Sequence, residues 1–287
     1  MIYDQIKQIT KIDLGWSGDE KYKIVTNDNK AYLLRIASEK NAPHYKEIFD
    51  LASQIKAPIC APIEYGECDM GTYTIFSWID GEDAEGKVPT LDKDTQYALG
   101  VDAGKILREI HKIPAPDTLD SWEVRFGKKI DKKIKAYDEC ALKYENGEKF
   151  KEFINENRHL LKDRPQTFQH GDYHIGNMML ENGKLIVIDF DRYDFGDPWQ
   201  EMNRIVWSVQ ASKPFARGTL DGYFDNKIPE EFWRLLALYI CTNTLSSLPW
   251  AIPFGEKEIT TMKNQAKEVL FWYNDMKEII PKWYYEE

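Results

Sequence analysis

Two short stretches hold the residues best suited to chemistry: His170-Gly171-Asp172-Tyr173-His174-Ile175-Gly176-Asn177 and Val187-Ile188-Asp189-Phe190-Asp191. Asp172, Asn177 and Asp189 offer hard oxygen atoms. Mg²⁺ prefers such ligands and takes only one or two carboxylates from protein. A carboxylate near an incoming hydroxyl, oxygen ligands for Mg²⁺ and cations for phosphates are what phosphoryl transfer asks of a protein. Asp189 follows the apolar run 185–188, so a buried strand would present it at a groove edge. Asn177 lies five residues after Asp172, and one loop can deliver both to one site. A rival chemistry uses His170 and His174 with Asp172 and Asp189, as in a zinc- or manganese-dependent hydrolase. Two histidines four apart share a helix face and suit a metal. Gly171 and Gly176 argue against a helix there, and the acid between the histidines is wrongly placed for an HExxH motif.

The elements that must position these residues fall into two groups. Residues 6–14 and 21–26 read as strands, the latter alternating with Tyr22, Ile24 and Thr26 on one side. Asn27-Asp28-Asn29 is a turn, since Asn and Asp tolerate left-handed backbone, and 32–36 is the returning strand. Residues 43–53 carry Tyr45, Ile48, Phe49 and Ala52 at helical spacing, with Pro43 suited to a first turn. A second strand pair covers 63–67 and 73–78. Beyond Asp80-Gly81-Glu82-Asp83 the periodicity turns helical: a long helix through Tyr97–Ile110, then 126–144, 150–161, 201–211, 232–245 and 259–280. The strand-like pieces at 166–180 and 185–190 form an island within it. This predicts an α+β fold of two lobes. Residues 1–79 form a small antiparallel-sheet lobe with one helix, and residues 80–287 form a larger helical lobe.

Composition bounds the rest. The 287 residues are 43% hydrophobic and 30% charged, the balance of a globular chain with a sizeable core. A formal net charge of −10 argues against a nucleic-acid partner and fits a cationic small substrate, or simply solubility. Cys60, Cys68, Cys140 and Cys241 match no zinc or CxxC spacing, so reduced thiols in a cytoplasm are expected. No stretch approaches the ~20 apolar residues of a membrane span, and the N-terminus lacks a signal-peptide core.

His170–Asn177 resembles the catalytic loop, written HGDxHxxN, of the aminoglycoside phosphotransferase and choline kinase superfamily, and Ile188-Asp189-Phe190 is similar to its metal-binding segment. The two pieces occur in order, about a dozen residues apart, which makes the match specific. The resemblance implies a bilobal protein-kinase-like fold and ATP with Mg²⁺ as cofactors, GTP staying open. It implies Asp172 as the catalytic carboxylate, Asn177 and Asp189 as metal ligands, and His170 as a brace for the loop. Arg35, ending Tyr32-Leu33-Leu34-Arg35, resembles the position where protein kinases carry a phosphate-binding lysine. Glu47 on the following helix would be its partner, with Glu39 the runner-up. Ser17 and Gly18, within Gly15-Trp16-Ser17-Gly18, offer backbone N–H groups to phosphates, although the stretch departs from GxGxxG. Phe76-Ser77-Trp78-Ile79 resembles a hinge: backbone of Ser77 and Ile79 would bind the nucleobase and Phe76 would sit behind it. In Gly196-Asp197-Pro198-Trp199-Gln200-Glu201, similar to the family's GDPxxD with Glu201 for the last Asp, Asp197 and Glu201 are expected to cap a helix start and brace the loop. Asp191 and Asp194 are the candidates for touching a cationic substrate.

The expected partner is a small-molecule alcohol, with no nucleic acid and no membrane; oligomeric state stays open. An aminoglycoside-like antibiotic or amino sugar ranks first. Choline, ethanolamine, homoserine and macrolides are alternatives, and whether drug resistance follows stays open. A nucleotide-binding pseudokinase module is the reading from another class. The C-terminal aromatics, among them Trp207, Tyr239 and Trp250, read chiefly as core. The stretch 246–255 reads as an apolar loop that walls the acceptor pocket or joins helices.

Overall fold

The computed structural model describes residues 1–13, 19–37 and 41–286. Ser17, Gly18 and Glu39 lie outside the described residues. Strands β1 (Ile6–Lys11), β2 (Glu20–Thr26) and β3 (Ala31–Ala37) lead into helix α1 (Ala42–Ala52), followed by β4 (Pro62–Cys68) and β5 (Gly71–Ser77). They make one antiparallel sheet in the order β1-β2-β3-β5-β4. The β2–β3 turn sits where Asn27-Asp28-Asn29 predicts it. Asn29 adopts φ 66°, and its N–H reaches the Thr26 carbonyl at 2.9 Å. Alternation buries Ile24, Leu34, Ile36, Tyr73 and Ile75 on one face. Helix α1 buries Tyr45, Ile48 and Ala52, leaving Glu47 exposed.

A short strand β6 (Glu82–Asp83) and helix α2 (Ala84–Lys87) open the second part, followed by α3 (Lys93–Ile110), α4 (Trp122–Glu139) and α5 (Glu148–Asn157). The island then supplies β7 (Thr167–Gln169), β8 (Met178–Glu181), β9 (Lys184–Val187) and β10 (Asp194–Gly196). Helices α6 (Ile205–Ala211), α7 (Lys213–Phe224), α8 (Glu230–Ala251) and α9 (Glu256–Trp272) complete the chain.

Helix α7 was not expected, because Pro214, Gly218 and Gly222 weaken helical propensity. Packing reverses that judgement. A Cβ at Gly104 of α3 would come within 2.2 Å of the Thr219 carbonyl oxygen, and one at Gly218 within 2.2 Å of the Tyr97 carbonyl oxygen. The two backbones touch where only glycine fits. The expected loop at 246–255 is also corrected: α8 continues through Pro249 to Ala251. Pro249 forgoes the bond to the Leu245 carbonyl, while Ser246 and Ser247 hydroxyls donate to the Asn243 carbonyl at 2.9 Å.

Helix α8 also revises the membrane expectation. The stretch Glu230–Phe254 is long and apolar enough to cross a membrane. However, 67% of its most apolar window is buried, because α4, α5 and α9 surround it as the centre of the helical core.

Candidate active site

The β8–β9 hairpin assembles the site. Met178 pairs with Val187 in the ladder, which places Asn177 and Asp189 at the open end of the same hairpin. The Ile188 N–H donates to the Asn177 carbonyl at 3.0 Å. The Asn177 side-chain amide donates to the Asp172 carbonyl at 2.8 Å. That bond orients the side chain and leaves Oδ1 without a partner among the described residues. Asp189 adopts φ 67°, a conformation Asp tolerates better than most residues. Its side chain is 41% exposed, and the nearest cation is Arg35 at 3.8 Å. One amide oxygen and one open carboxylate are a hard donor set that fits Mg²⁺.

His170 ties the loop to the hairpin. Its Nε2 donates to the Ile188 carbonyl at 2.8 Å and its Nδ1 accepts the Asp172 N–H at 3.3 Å. Both ring nitrogens are thereby used, so His170 has none left for a metal. Among the described residues no group of three or more His, Cys, Asp or Glu could hold a metal ion.

Gly171 has φ +85°, and a Cβ there would meet the Arg192 carbonyl oxygen at 1.8 Å. Its N–H is held by both oxygens of the buried Glu201, at 3.0 and 3.1 Å. Asp197 is fully buried and takes a bidentate pair from Arg164 at 2.7 and 3.0 Å. It also accepts the Tyr239 hydroxyl at 2.6 Å and the Trp199 N–H at 3.0 Å. The indole of Trp122 donates to the same Tyr239 oxygen at 3.0 Å. Asp197 and Glu201 thus sit beneath the loop as supports, Asp197 bonding the first turn after Pro198.

Arg35 is buried, and its partner is not Glu47. It forms a bidentate pair with Asp191, meets Asp19 at 2.9 Å and lies 3.8 Å from Asp189. Burial opposes its charge, and Asp191 more than offsets that, holding the guanidinium above its ordinary value. Glu47 points from the exposed face of α1 and accepts the Tyr193 hydroxyl at 2.5 Å. The turn carrying Asp191, far away in sequence, lies closer than the neighbouring helix face. Asp191 is therefore held on the Arg35 side. Asp194 is likewise committed, to Lys129 at 2.6 Å and Arg125 at 3.3 Å. Burial pushes Asp194 up, but Lys129, Arg125 and the Phe195 N–H bring it below the ordinary carboxylate range. Neither acid has the free carboxylate that the substrate expectation required.

Between sheet and hairpin lies an apolar slot. Cys60, Phe76 and Ile79 are packed there with Leu33, Met179, Ile186 and Ile188. The Cys60 N–H donates to the Val187 carbonyl at 2.8 Å and the Val187 N–H to the Pro58 carbonyl at 3.0 Å, stitching the slot shut at one side. The Ser77 N–H is spent on the Ala61 carbonyl at 2.9 Å. The Ser77 carbonyl faces only the Cys60 thiol at 3.4 Å, and no described group bonds the Ile79 N–H. A carbonyl and an N–H two residues apart beside an apolar slot can receive a flat heteroaromatic base.

Sequence reasoning missed the cations around Asp172. Arg204 Nε lies 3.1 Å from one oxygen and Arg192 Nη1 3.4 Å from the other. His174 Nε2 is 3.9 Å away. Burial, with Arg204, His170 and Arg192, lowers His174 to about 4 against the pull of Asp172, so the ring is neutral near pH 7. Its Nδ1 accepts the Gly176 N–H at 3.1 Å, which assigns the proton to Nε2. The only signal in the sequence was the i, i+4, i+8 series Arg125, Lys129, Lys133 on α4.

A family model described as the phosphotransferase enzyme family matches residues 8–236. No curated protein matches. Solved structures do match in fold. A ternary complex of a thermostable mutant of aminoglycoside phosphotransferase APH(4)-Ia with AMP-PNP and hygromycin B has a TM-score of 0.67 at 16% identity, covering 95% of each chain. The gentamicin complex of APH(2″)-IIa has a TM-score of 0.63 at 19% identity, covering 92% of each. ADP-bound APH(2″)-Ib has a TM-score of 0.62 at 20% identity, covering 93% of this chain and 98% of that one.

Proposed function

The chain belongs to the phosphotransferase enzyme family, and from that premise we propose that it moves the γ-phosphoryl group of ATP to a hydroxyl of a small molecule in the cytoplasm. The observation carrying this reading is the bond from the Asn177 amide to the Asp172 carbonyl, at the open end of the hairpin that also presents Asp189. One short unit thereby brings together a carboxylate for the acceptor hydroxyl and two oxygen donors for Mg²⁺.

Asn177 and Asp189 would hold the metal, which supplies neutralisation of charge on the phosphate oxygens when bound. Asp172 orients the acceptor hydroxyl and takes its proton. Arg204 and Arg192 fix the rotamer of Asp172, so the hydroxyl meets a placed oxygen rather than a mobile one. The base stacks in the slot against Phe76, bonding the Ser77 carbonyl and the Ile79 N–H. Adenine suits that slot, and GTP stays open. The nucleotide complexes of similar folds support ATP as the donor. Their aminoglycosides also put an antibiotic or amino sugar among the acceptors to try.

A nucleotide-binding module without transfer is the second reading. It is favoured by one observation: Arg35 is wholly engaged by carboxylates rather than open to phosphate. Acceptor-dependent release of ADP by the native protein, lost in Asp172→Asn while Mg·AMP-PNP still binds, separates the two. Nucleotide binding without ADP release from any alcohol in a broad panel would favour the module.

A further inference from the structure

The overall charge of −10 does not extend into the acceptor side of the site. There one carboxylate, Asp172, faces two guanidinium groups, Arg204 and Arg192. Along α4, Arg125, Lys129 and Lys133 recur every fourth residue and so share one face. Asp194 answers the first two. Lys133 has no hydrogen bond or ion pair among the described residues, and its strongest charged neighbours are Arg204 and Lys129. Burial and those two cations lower it to about 8. Glu85 of α2 stands elsewhere, 3.3 Å from a Cβ built on Gly176. The region therefore gathers five cations against Asp172 and Asp194. Two like charges held together without a counter-ion cost free energy unless something negative is meant to sit between them.

We propose that the acceptor carries an anionic group, a carboxylate or a phosphate, received by Lys133 with Arg204 and Arg192, while its hydroxyl meets Asp172. The inference rests on the phosphotransfer reading and narrows it. It corrects the expectation of a cationic acceptor, which was drawn from total charge: a polyamine would be pressed against a cationic wall. In the reaction the acceptor oxygen forms a bond to the γ-phosphorus, and the bond from that phosphorus to the β,γ-bridging oxygen breaks. The electron pair leaves on ADP, and the hydroxyl proton passes to Asp172. The anionic group stays intact and serves as the handle. Arginine and lysine suit it differently, the forked guanidinium for bidentate contact and the lysine as a point charge.

The test is calorimetric titration of the full chain in the presence of Mg·AMP-PNP. The probes are gluconate, glucose 6-phosphate, glucosamine and kanamycin, and the proteins are wild type, Lys133→Arg and Lys133→Glu. Expected is at least tenfold tighter binding of gluconate or glucose 6-phosphate than of either amine, the two anions separating carboxylate from phosphate. Lys133→Arg keeps that preference and Lys133→Glu loses at least tenfold, with unchanged circular dichroism showing that it folds. Tighter binding of glucosamine or kanamycin overturns the proposal, as does any anion binding that is indifferent to residue 133 or absent. Failure of Mg·AMP-PNP itself to bind wild type is a separate readout, and it strikes the phosphotransfer reading beneath.

Discussion

The two sides of the cleft are electrostatic opposites built from the same residue types. On the nucleotide side a single buried cation, Arg35, is outnumbered by Asp19, Asp189 and Asp191. On the acceptor side a single carboxylate, Asp172, is outnumbered by Arg192 and Arg204. A surplus of carboxylate beside Asn177 is what a divalent cation needs, and it also holds Arg35 in place. A surplus of guanidinium around Asp172 fixes its rotamer and leaves positive charge for a ligand. Net charge for the whole chain describes neither side, because exposed charges are screened within ~10 Å while the cleft is not.

The largest effect expected from breaking this contrast comes from Asp172→Asn. It removes the lone carboxylate, and acceptor-dependent turnover falls by about 10²–10⁴-fold, the usual contribution of a positioned base. Steady-state ADP release measures it, and a loss below tenfold would move the base elsewhere. Next is Arg35→Ala, which leaves Asp19 and Asp191 half-buried without their cation. Removing one partner of a buried pair costs about 3–5 kcal/mol, read as a drop in urea-unfolding stability.

A smaller effect lies on the acceptor side at His174. The folded ring titrates at about 4 and the unfolded one near its ordinary value of ~6.5. As pH falls the unfolded chain binds a proton first, so stability declines between about 6.5 and 4 and then levels off. His174→Gln still offers an oxygen to the Gly176 N–H and should flatten that part of the stability–pH curve. An unchanged curve would mean that His174 is not held neutral. Smallest is Glu47→Gln. Its carboxylate is exposed and bonds only a tyrosine hydroxyl, so unfolding stability should move by less than about 0.5 kcal/mol. A change as large as that of Arg35→Ala would restore Glu47 as the partner of Arg35.

Local signals carried much of the fold. Strand alternation around Ile24 and the Asn27–Asn29 turn are determined over a few residues, so period and turn chemistry were enough to read them. Asp172, Asn177 and Asp189 were legible for a related reason. Loop and hairpin are short, and the pairing of Met178 with Val187 leaves little freedom in where the flanking residues go. Helix α7 and the end of α8 were misread because propensity is a weak local term. Contact of Gly218 and Gly222 with α3, and the apolar surroundings of α8, outweigh it.

Residue order alone determined the two-part organisation, the chemical set in the loop and hairpin, and the class of reaction those oxygens suit. Such features depend on neighbours within a turn or a strand. The tertiary structure alone decided that Arg35 answers to Asp191 rather than Glu47, and that Arg192 and Arg204 close on Asp172. Those pairings join segments up to 156 residues apart. Charge attraction acts through space, so the partner is whichever group packing brings within reach.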